Sequence, residues 1–407
     1  PPKNNVNDNI SLTISNSKNK RIVVYSWDDD MVPFEVKQTL APKIPKTINV
    51  LEYGAVPNDG IDDLPAIKNA MLETKKYTAT TGAILYFPNG QYDFISSTGS
   101  TDGIYYYKTD NISLIGENSE IIVHNQNSTP INFSTCNNLT IKGLKINAEN
   151  EYFSHASIVS VSGTTMRVRI KDEFSEPDVL NVEALMDYDP VSLMPIGNLD
   201  VFASGISSIT KVSPRVYDIK IKTSYAQDKN AYLSDCISRM TPLNTMIVLR
   251  YSIYGPSAID INGCQNVLIE NCTVNSIPGM GIHATRCTDF SVNNVNIVPR
   301  ENRAMSTTAD GIFLMYMKGG LNVTNSTVWG TGDDCFAISV KFLEITEVAA
   351  HNKKVTAKIS VGWEGPAPLA GEKMKLYSSE TMAQYAELTV KTAVWDSILK
   401  VYNITFN

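Results

Sequence analysis

Two short segments place carboxylates where they could do acid–base chemistry. Thr308-Ala-Asp-Gly-Ile312 and Gly332-Asp-Asp-Cys-Phe336 each set an aspartate directly before a short apolar run, and Asp310 and Asp334 are 24 residues apart. If the chain stacks these runs, two carboxylates come side by side with Asp333 next to them. Like charges so placed raise the pKa of one member. A protonated carboxyl beside an ionised carboxylate is what cleavage of a glycosidic bond needs. Three acidic groups in one place would equally suit a calcium ion or a solvated acidic ridge.

Whether they stack depends on the elements around them. Val267–Val274, Phe290–Ile297 and Leu321–Val328 align as copies of one pattern, with an earlier copy at Leu139–Ile146 and a degenerate one from Ile112. Each alternates apolar and polar residues, passes through Asn or Gly, and ends on an apolar position, as a strand with one buried face does. A shorter strand follows each copy: Ala258–Ile261, Gly281–Ala284, Gly311–Leu314 and Cys335–Ile338. Short strands at a recurring spacing of 23 to 31 residues, with no helical period, predict the coils of a parallel β-helix. In that register Asp310 stacks on Asp334, with Met280 one coil earlier. Cys136, Cys264 and Cys287 each precede a first strand and predict an interior stack of thiols rather than a disulfide framework.

Around the solenoid, Pro65–Tyr77 predicts one amphipathic helix, with Asp62 or Asp63 as N-cap and Ala66, Ile67, Ala70 and Met71 on its apolar face. Strands are expected at Ile48–Tyr53 and Ala83–Phe87, and the strand–helix–strand unit would cap the open end of the coil stack. Two stretches break the repeat and read as β-barrel-like insertions. The expected organisation is a β-rich lead-in over 1–46, the start of the β-helix with its capping helix over 47–154, a first insertion over 155–250, coils carrying the site over 251–340, and a second insertion over 341–407 where the solenoid breaks off.

The chain has 407 residues, 43% hydrophobic and 19% charged, with a formal net charge of −7. An acidic surface argues against nucleic acid as a partner. No run of eighteen apolar residues predicts a membrane span. The six cysteines form no CxxC pair and only four histidines are present, which argues against a zinc site. No metal or cofactor is expected. The start of the sequence has no signal region, so an extracellular protein would have had one removed. N-x-S/T sequons at Asn111, Asn138, Asn271 and Asn322 are what an Asn-rich chain generates by chance. Further candidates near the aspartates are His283 on the preceding coil, Arg300 and Arg303 in the loop leading to Asp310, and Trp329 and Tyr316 as rings on which a sugar could stack; each is equally an ordinary surface or packing residue.

Val50-Leu-Glu-Tyr-Gly-Ala-Val56, Asp59-Gly60, Asp62-Asp63 and Tyr86–Tyr92 resemble the entry motif of the pectin-lyase-like right-handed β-helix superfamily, which fixes a fold and not an activity. Ile247–Tyr251, Pro278–Gly281, Met305–Gly311 and Gly332–Asp334 resemble glycoside hydrolase family 110, the exo-α-1,3-galactosidases. That resemblance implies an inverting enzyme that removes terminal α-linked galactose from an oligo- or polysaccharide. It also implies catalytic roles for Asp310, Asp333 and Asp334, and a secreted, cell-surface or periplasmic setting; which aspartate is acid and which base stays open, Asp310 and Asp334 as joint base with Asp333 as acid being one division that fits. Ile338-Ser-Val-Lys341 departs from the Asn-Val-His that follows the doublet in the family. The alternatives are a polygalacturonase-like pectin hydrolase, against which stands the lack of a His-Gly and of an Arg-Ile-Lys after the doublet, and a non-catalytic glycan-binding β-helix of the adhesin or tailspike type. Nothing in the sequence indicates an oligomeric state.

Overall fold

The computed structural model describes residues 45–176, 181–222, 230–340, 342–349, 353–359 and 367–407. Of the expected lead-in over 1–46 all but the last two residues lie outside them, as does Lys341. The chain divides into two compact units after Ile338.

The first unit is built coil on coil. One parallel sheet runs Lys46–Asn49, Ala83–Phe87, Ile112–Val123, Asn137–Ala148, Gln265–Glu270, Thr288–Asn293 and Lys318–Thr324. A second runs Ile104–Tyr107, Ile131–Ser134, Ile259–Asn262, Ile282–Thr285, Ile312–Met315 and Phe336–Ser339. The register is the one the repeat requires: Leu139 pairs Val267, Val267 pairs Phe290, and Phe290 pairs Leu321. The first of these pairs spans the whole first insertion, so the insertion leaves the stack unbroken. Ile141, Ile269 and Val292 are fully buried between the two sheets. The expected thiol stack is present: Cys136, Cys264 and Cys287 are buried and free, and the Cys136 amide donates to Cys264 Sγ at 3.3 Å.

The abundant asparagines hold the corners. Asn111, Asn138 and Asn266 occupy equivalent positions on successive coils, each with φ near +55°. Asn138 donates its side-chain amide to Asn111 Oδ1, and Asn266 donates to Asn138 Oδ1, both at 2.8 Å. A second column links Asn294 to Asn271 in the same way. Asparagine tolerates the left-handed backbone better than other side chains with a Cβ and can bond along the stack. Three of the four sequon asparagines thus have their amides in ladders.

The helix forms over Leu64–Thr78 and buries Leu64, Ile67, Ala70 and Met71 against the first strands of the stack. Asp63 precedes it without a side-chain bond to it; its carboxylate instead accepts from the amides of Val56 and Asp93, at 2.7 and 3.0 Å, while Asp62 Oδ1 accepts from the Leu64 amide at 3.3 Å. The strand expected over Ile48–Tyr53 ends early. Lys46–Asn49 is extended, and Val50–Tyr53 winds into a 3-10 turn because Asn49 Oδ1 accepts from the Leu51 amide and Gly54 closes the turn at φ +98°.

The first insertion is an antiparallel seven-stranded sheet in the order Pro195–Phe202, Ala184–Tyr188, Met246–Arg250, Phe153–Ser162, Thr165–Ile170, Val216–Ile221, Ile206–Ser213. A helix over Asn230–Ser238 falls where only strand patterns were read. Its Ile237 joins the insertion's core, and the i,i+4 pair Asp235–Arg239 was the missed helical signal. Ala304 and Met305, from the loop before Asp310, are buried in the same core. The second unit is an antiparallel five-stranded sheet, Leu343–Ala349, Lys354–Ile359, Val401–Phe406, Gln384–Asp396 and Lys373–Tyr377, around Val355, Val390, Tyr402 and Ile404.

Replacing Asn266 by Ala removes one ladder bond and forces a Cβ into the left-handed region without compensation, and should cost about 1–2 kcal/mol. Asn266→Gly should cost less. Urea unfolding midpoints check this; an alanine variant as stable as the glycine one would show that backbone conformation is not what the asparagine supplies.

Candidate active site

The stack delivers the aspartates as the register requires. Gly281 N–H donates to Asp310 O and Gly311 N–H to Asp334 O, at 3.1 and 2.9 Å, so Asp310 and Asp334 occupy equivalent places on adjacent coils. The turns before them also stack: Thr307 pairs with Thr331, and their hydroxyls donate to the carbonyls of Ala309 and Asp333, at 2.9 and 2.8 Å. The glycines of both motifs are forced by close approach. A Cβ on Gly311 would lie 2.2 Å from Val328 Cγ1, and one on Gly332 would lie 2.3 Å from Thr308 O.

Asp310, Asp333 and Asp334 each present an oxygen, and these lie within 4.8 Å of one another. Asp310 is 4% exposed, whereas Asp333 and Asp334 are open to solvent. Burial first, and then the charges of Asp333 and Asp334, push the Asp310 carboxyl up to about 7. The cluster therefore holds a proton near neutrality on its buried member. Tyr254 donates its hydroxyl to Asp333 Oδ2 at 2.7 Å. The same three carboxylates are the group among the described residues that could hold a hard cation such as calcium.

A buried cation stands behind the cluster. Arg250, the last residue of an insertion strand, is 1% exposed. Its Nη1 donates to the carbonyls of Gly332 and Thr308, at 2.8 and 3.3 Å, and its Nη2 to Asp200 Oδ1 at 3.1 Å. Asp200, half-exposed on the strand Pro195–Phe202, has its carboxyl raised by burial and by the charges of Asp333 and Asp187, against the opposing pull of Arg250. The Thr308 hydroxyl donates to Ile253 O, and the Ile253 amide donates to Glu183.

Of the weaker candidates, His283 lies on the coil next to that of Asp310, its strand pairing with Ile312–Met315. It pairs with Asp260 through Nδ1 at 3.3 Å and meets Thr285 Oγ1 through Nε2 at 3.2 Å, and its charge acts on Asp310. Arg300 and Arg303 are not held at the aspartates. Both turn to Glu151, at 3.4 and 3.3 Å; Arg300 also donates to Ala148 O, and Arg303 covers the Phe174 ring at 4.5 Å. Their loop is drawn there because Ala304 and Met305 enter the insertion core. Trp329 is 37% exposed and offers a backbone carbonyl to Ser306. Tyr254, Arg250 and Asp200 were missed. Arg250 lies within the Ile247–Tyr251 segment that resembles family 110, but nothing in its local pattern marks it as buried beside the aspartates. The other two come from parts of the chain that only folding brings near.

Residues 47–166 match a family described as rhamnogalacturonase A/epimerase, pectate lyase-like, and residues 253–365 match glycosyl hydrolases family 28. Among curated proteins, α-1,3-galactosidase B of Bacteroides thetaiotaomicron is 22% identical over 79% of this chain and 56% of its own length. α-1,3-Galactosidase A of Shewanella woodyi is 22% identical over 75% of this chain and 53% of its own length. The chain is a relative of the α-1,3-galactosidases. It spans little more than half the length of these two relatives. A solved structure, the family 28 exopolygalacturonase of Yersinia enterocolitica, aligns at 15% identity over 73% of this chain and 45% of that one, with a TM-score of 0.39.

Asp310 ties stability to pH. Its folded carboxyl holds the proton more tightly than the ordinary 3.8 of the unfolded chain. Stability is therefore lost as pH rises from about 4 to about 7. Asp310→Asn removes that loss and should raise Tm relative to the parent more at pH 8 than at pH 4, by on the order of 4 kcal/mol in stability. An equal effect at both pH values would show that Asp310 ionises normally.

Proposed function

We propose that this chain carries the catalytic centre of an inverting glycoside hydrolase that removes terminal α-1,3-linked galactose from a glycan outside the cytoplasm. The observation that carries the reading is the buried Asp310, holding a proton near neutrality beside the exposed Asp333 and Asp334. The relatedness to α-1,3-galactosidases supports the substrate. In the same reading the solenoid is right-handed, the helix Leu64–Thr78 caps it, and both antiparallel sheets are barrel-like insertions.

The cluster works as a unit that holds one proton. A protonated carboxyl gives its proton to the glycosidic oxygen as the bond from the anomeric carbon breaks, and an ionised one takes a proton from the attacking water. In this reading Asp333 donates, and Asp310 and Asp334 together act as base. The raised carboxyl in the free site is that of Asp310, so donation from Asp333 requires the proton to pass to it within the cluster when substrate binds. Inversion also rests on the resemblance, because the facing oxygens lie closer than the roughly 6.5–9.5 Å that usually admits a water between acid and base. His283, held by Asp260, would offer a polar contact to the sugar and Trp329 a stacking face.

A second reading, a polygalacturonase-like pectin hydrolase, is favoured by the family 28 match across residues 253–365. An assay on α-1,3-linked digalactose beside polygalacturonate, with the product anomer followed by NMR, separates the two. The proposal expects galactose released first as the β-anomer, kcat/KM falling as pH rises through about 7, and no loss of rate with a chelator. Asp310→Asn and Asp334→Asn should each lower kcat about 10³-fold with the fold intact. Near-normal rates in either variant, or reducing ends from polygalacturonate alone, would overturn it.

A further inference from the structure

The first insertion does more than decorate the solenoid. Its strand Met246–Arg250 ends on a guanidinium buried behind the aspartates. Two of the three acceptors of that group are backbone carbonyls, those of Thr308 and Gly332. Thr308 lies two residues before Asp310, Gly332 one before Asp333, and the two turns sit on adjacent coils. We infer that Arg250 is a positioning residue for the aspartate cluster, tying together the two turns that carry Asp310 and Asp333.

The physical case is one of opposing forces. Carboxylates confined within 4.8 Å repel, and the softest response is for their turns to spread. Elsewhere in the stack, coils are joined by backbone ladders and asparagine columns. Here the turns are joined by the Gly332 amide, which donates to Thr307 O and Ala309 O, and by the Asp333 amide, which donates to Ala309 O; Arg250 adds a further tie, its Nη1 reaching both the Thr308 and Gly332 carbonyls while Nη2 is held by Asp200, a set of three acceptors that the planar guanidinium suits and a compact ammonium does not. Gly332 fits the same account: a Cβ there would lie 2.9 Å from Arg250 Nη1, so the position is kept small where the fork passes.

The fork acts on geometry rather than by supplying charge to Asp310. Asp200 pairs with it, and the neighbouring charges that weigh most on Asp310 are Asp333, Asp334 and His283. A free cation here would hold Asp310 ionised and remove the proton the cluster needs. Burial has a cost, since Arg250 Nε finds no partner among the described residues. A site that only needed filling would be more stable with an apolar side chain.

The catalytic consequence rests on the hydrolase reading; the effect on the free site does not, and the experiment reads both. Arg250→Met and Arg250→Lys are compared with the parent chain and with Arg167→Met, which removes an exposed insertion arginine paired to Asp218. Folding is checked by circular dichroism. The Asp310 carboxyl is titrated by carbon NMR without substrate, and kcat and KM are measured on α-1,3-linked digalactose. Arg250→Met is expected to lower kcat about 100-fold with little change in KM, as a misplacement of about 1 Å does, and to lower the Asp310 midpoint as the turns part and water enters. Arg250→Lys, with one compact donor group, should fall between, and Arg167→Met should match the parent. Asp200→Asn, at a half-exposed position, provides an arm that does not threaten the fold; freeing the outer anchor should lower both kcat and the midpoint. Folded Arg250→Lys and Asp200→Asn variants with parental kcat and midpoint would overturn the inference. A parent chain inactive on the digalactose would sink the hydrolase reading, and the Asp310 midpoints alone would then decide.

Discussion

In-register stacking of parallel coils is the constraint from which the rest follows. Strands in such a stack are separated by about 4.8 Å, so residues at one repeat position become columns. Apolar columns such as Ile141, Ile269 and Val292 make the core, and asparagine columns such as Asn111, Asn138 and Asn266 hold the left-handed corners. The same rule applied to Asp310 and Asp334 brings two carboxylates together that would otherwise move apart. One periodicity supplies both the stability and the strain.

That strain is confined. Most columns gain from likeness, as identical amides or apolar groups do, whereas a carboxylate column loses. The fold keeps the loss local by burying only Asp310 and leaving Asp333 and Asp334 to water. It then holds the turns from behind, through the hydroxyls of Thr307 and Thr331 and the guanidinium of Arg250. Asp200 pairs with the buried cation. These contacts stiffen the one place where the stack opposes itself.

The first insertion also gains a clear place in the design. It leaves the coil register intact, with Leu139 pairing Val267 across its whole length. Its core takes in Ala304 and Met305 from the loop before Asp310, and that loop's arginines turn to Glu151. A solenoid offers chemistry only along its repeat, and an inserted sheet can bring in groups, here Arg250 and Asp200, from outside that order.

The sequence by itself determined the coils, their register, the interior thiols and the stacking of Asp310 on Asp334. All of these follow from apolar periodicity, which is a local property that stacking copies from coil to coil. It also carried the kinship with α-1,3-galactosidases, through motifs that stay contiguous. Only the tertiary structure decided what surrounds the aspartates. Tyr254 reaching Asp333, and Arg250 joining Thr308, Gly332 and Asp200, depend on where an antiparallel sheet outside the repeat meets the stack. Arg300 and Arg303 stand close to Asp310 in sequence and yet turn to Glu151, because the loop's apolar residues are buried more favourably than its charges are placed. Periodicity specifies which residues share a column; it has no say over groups that arrive from outside it.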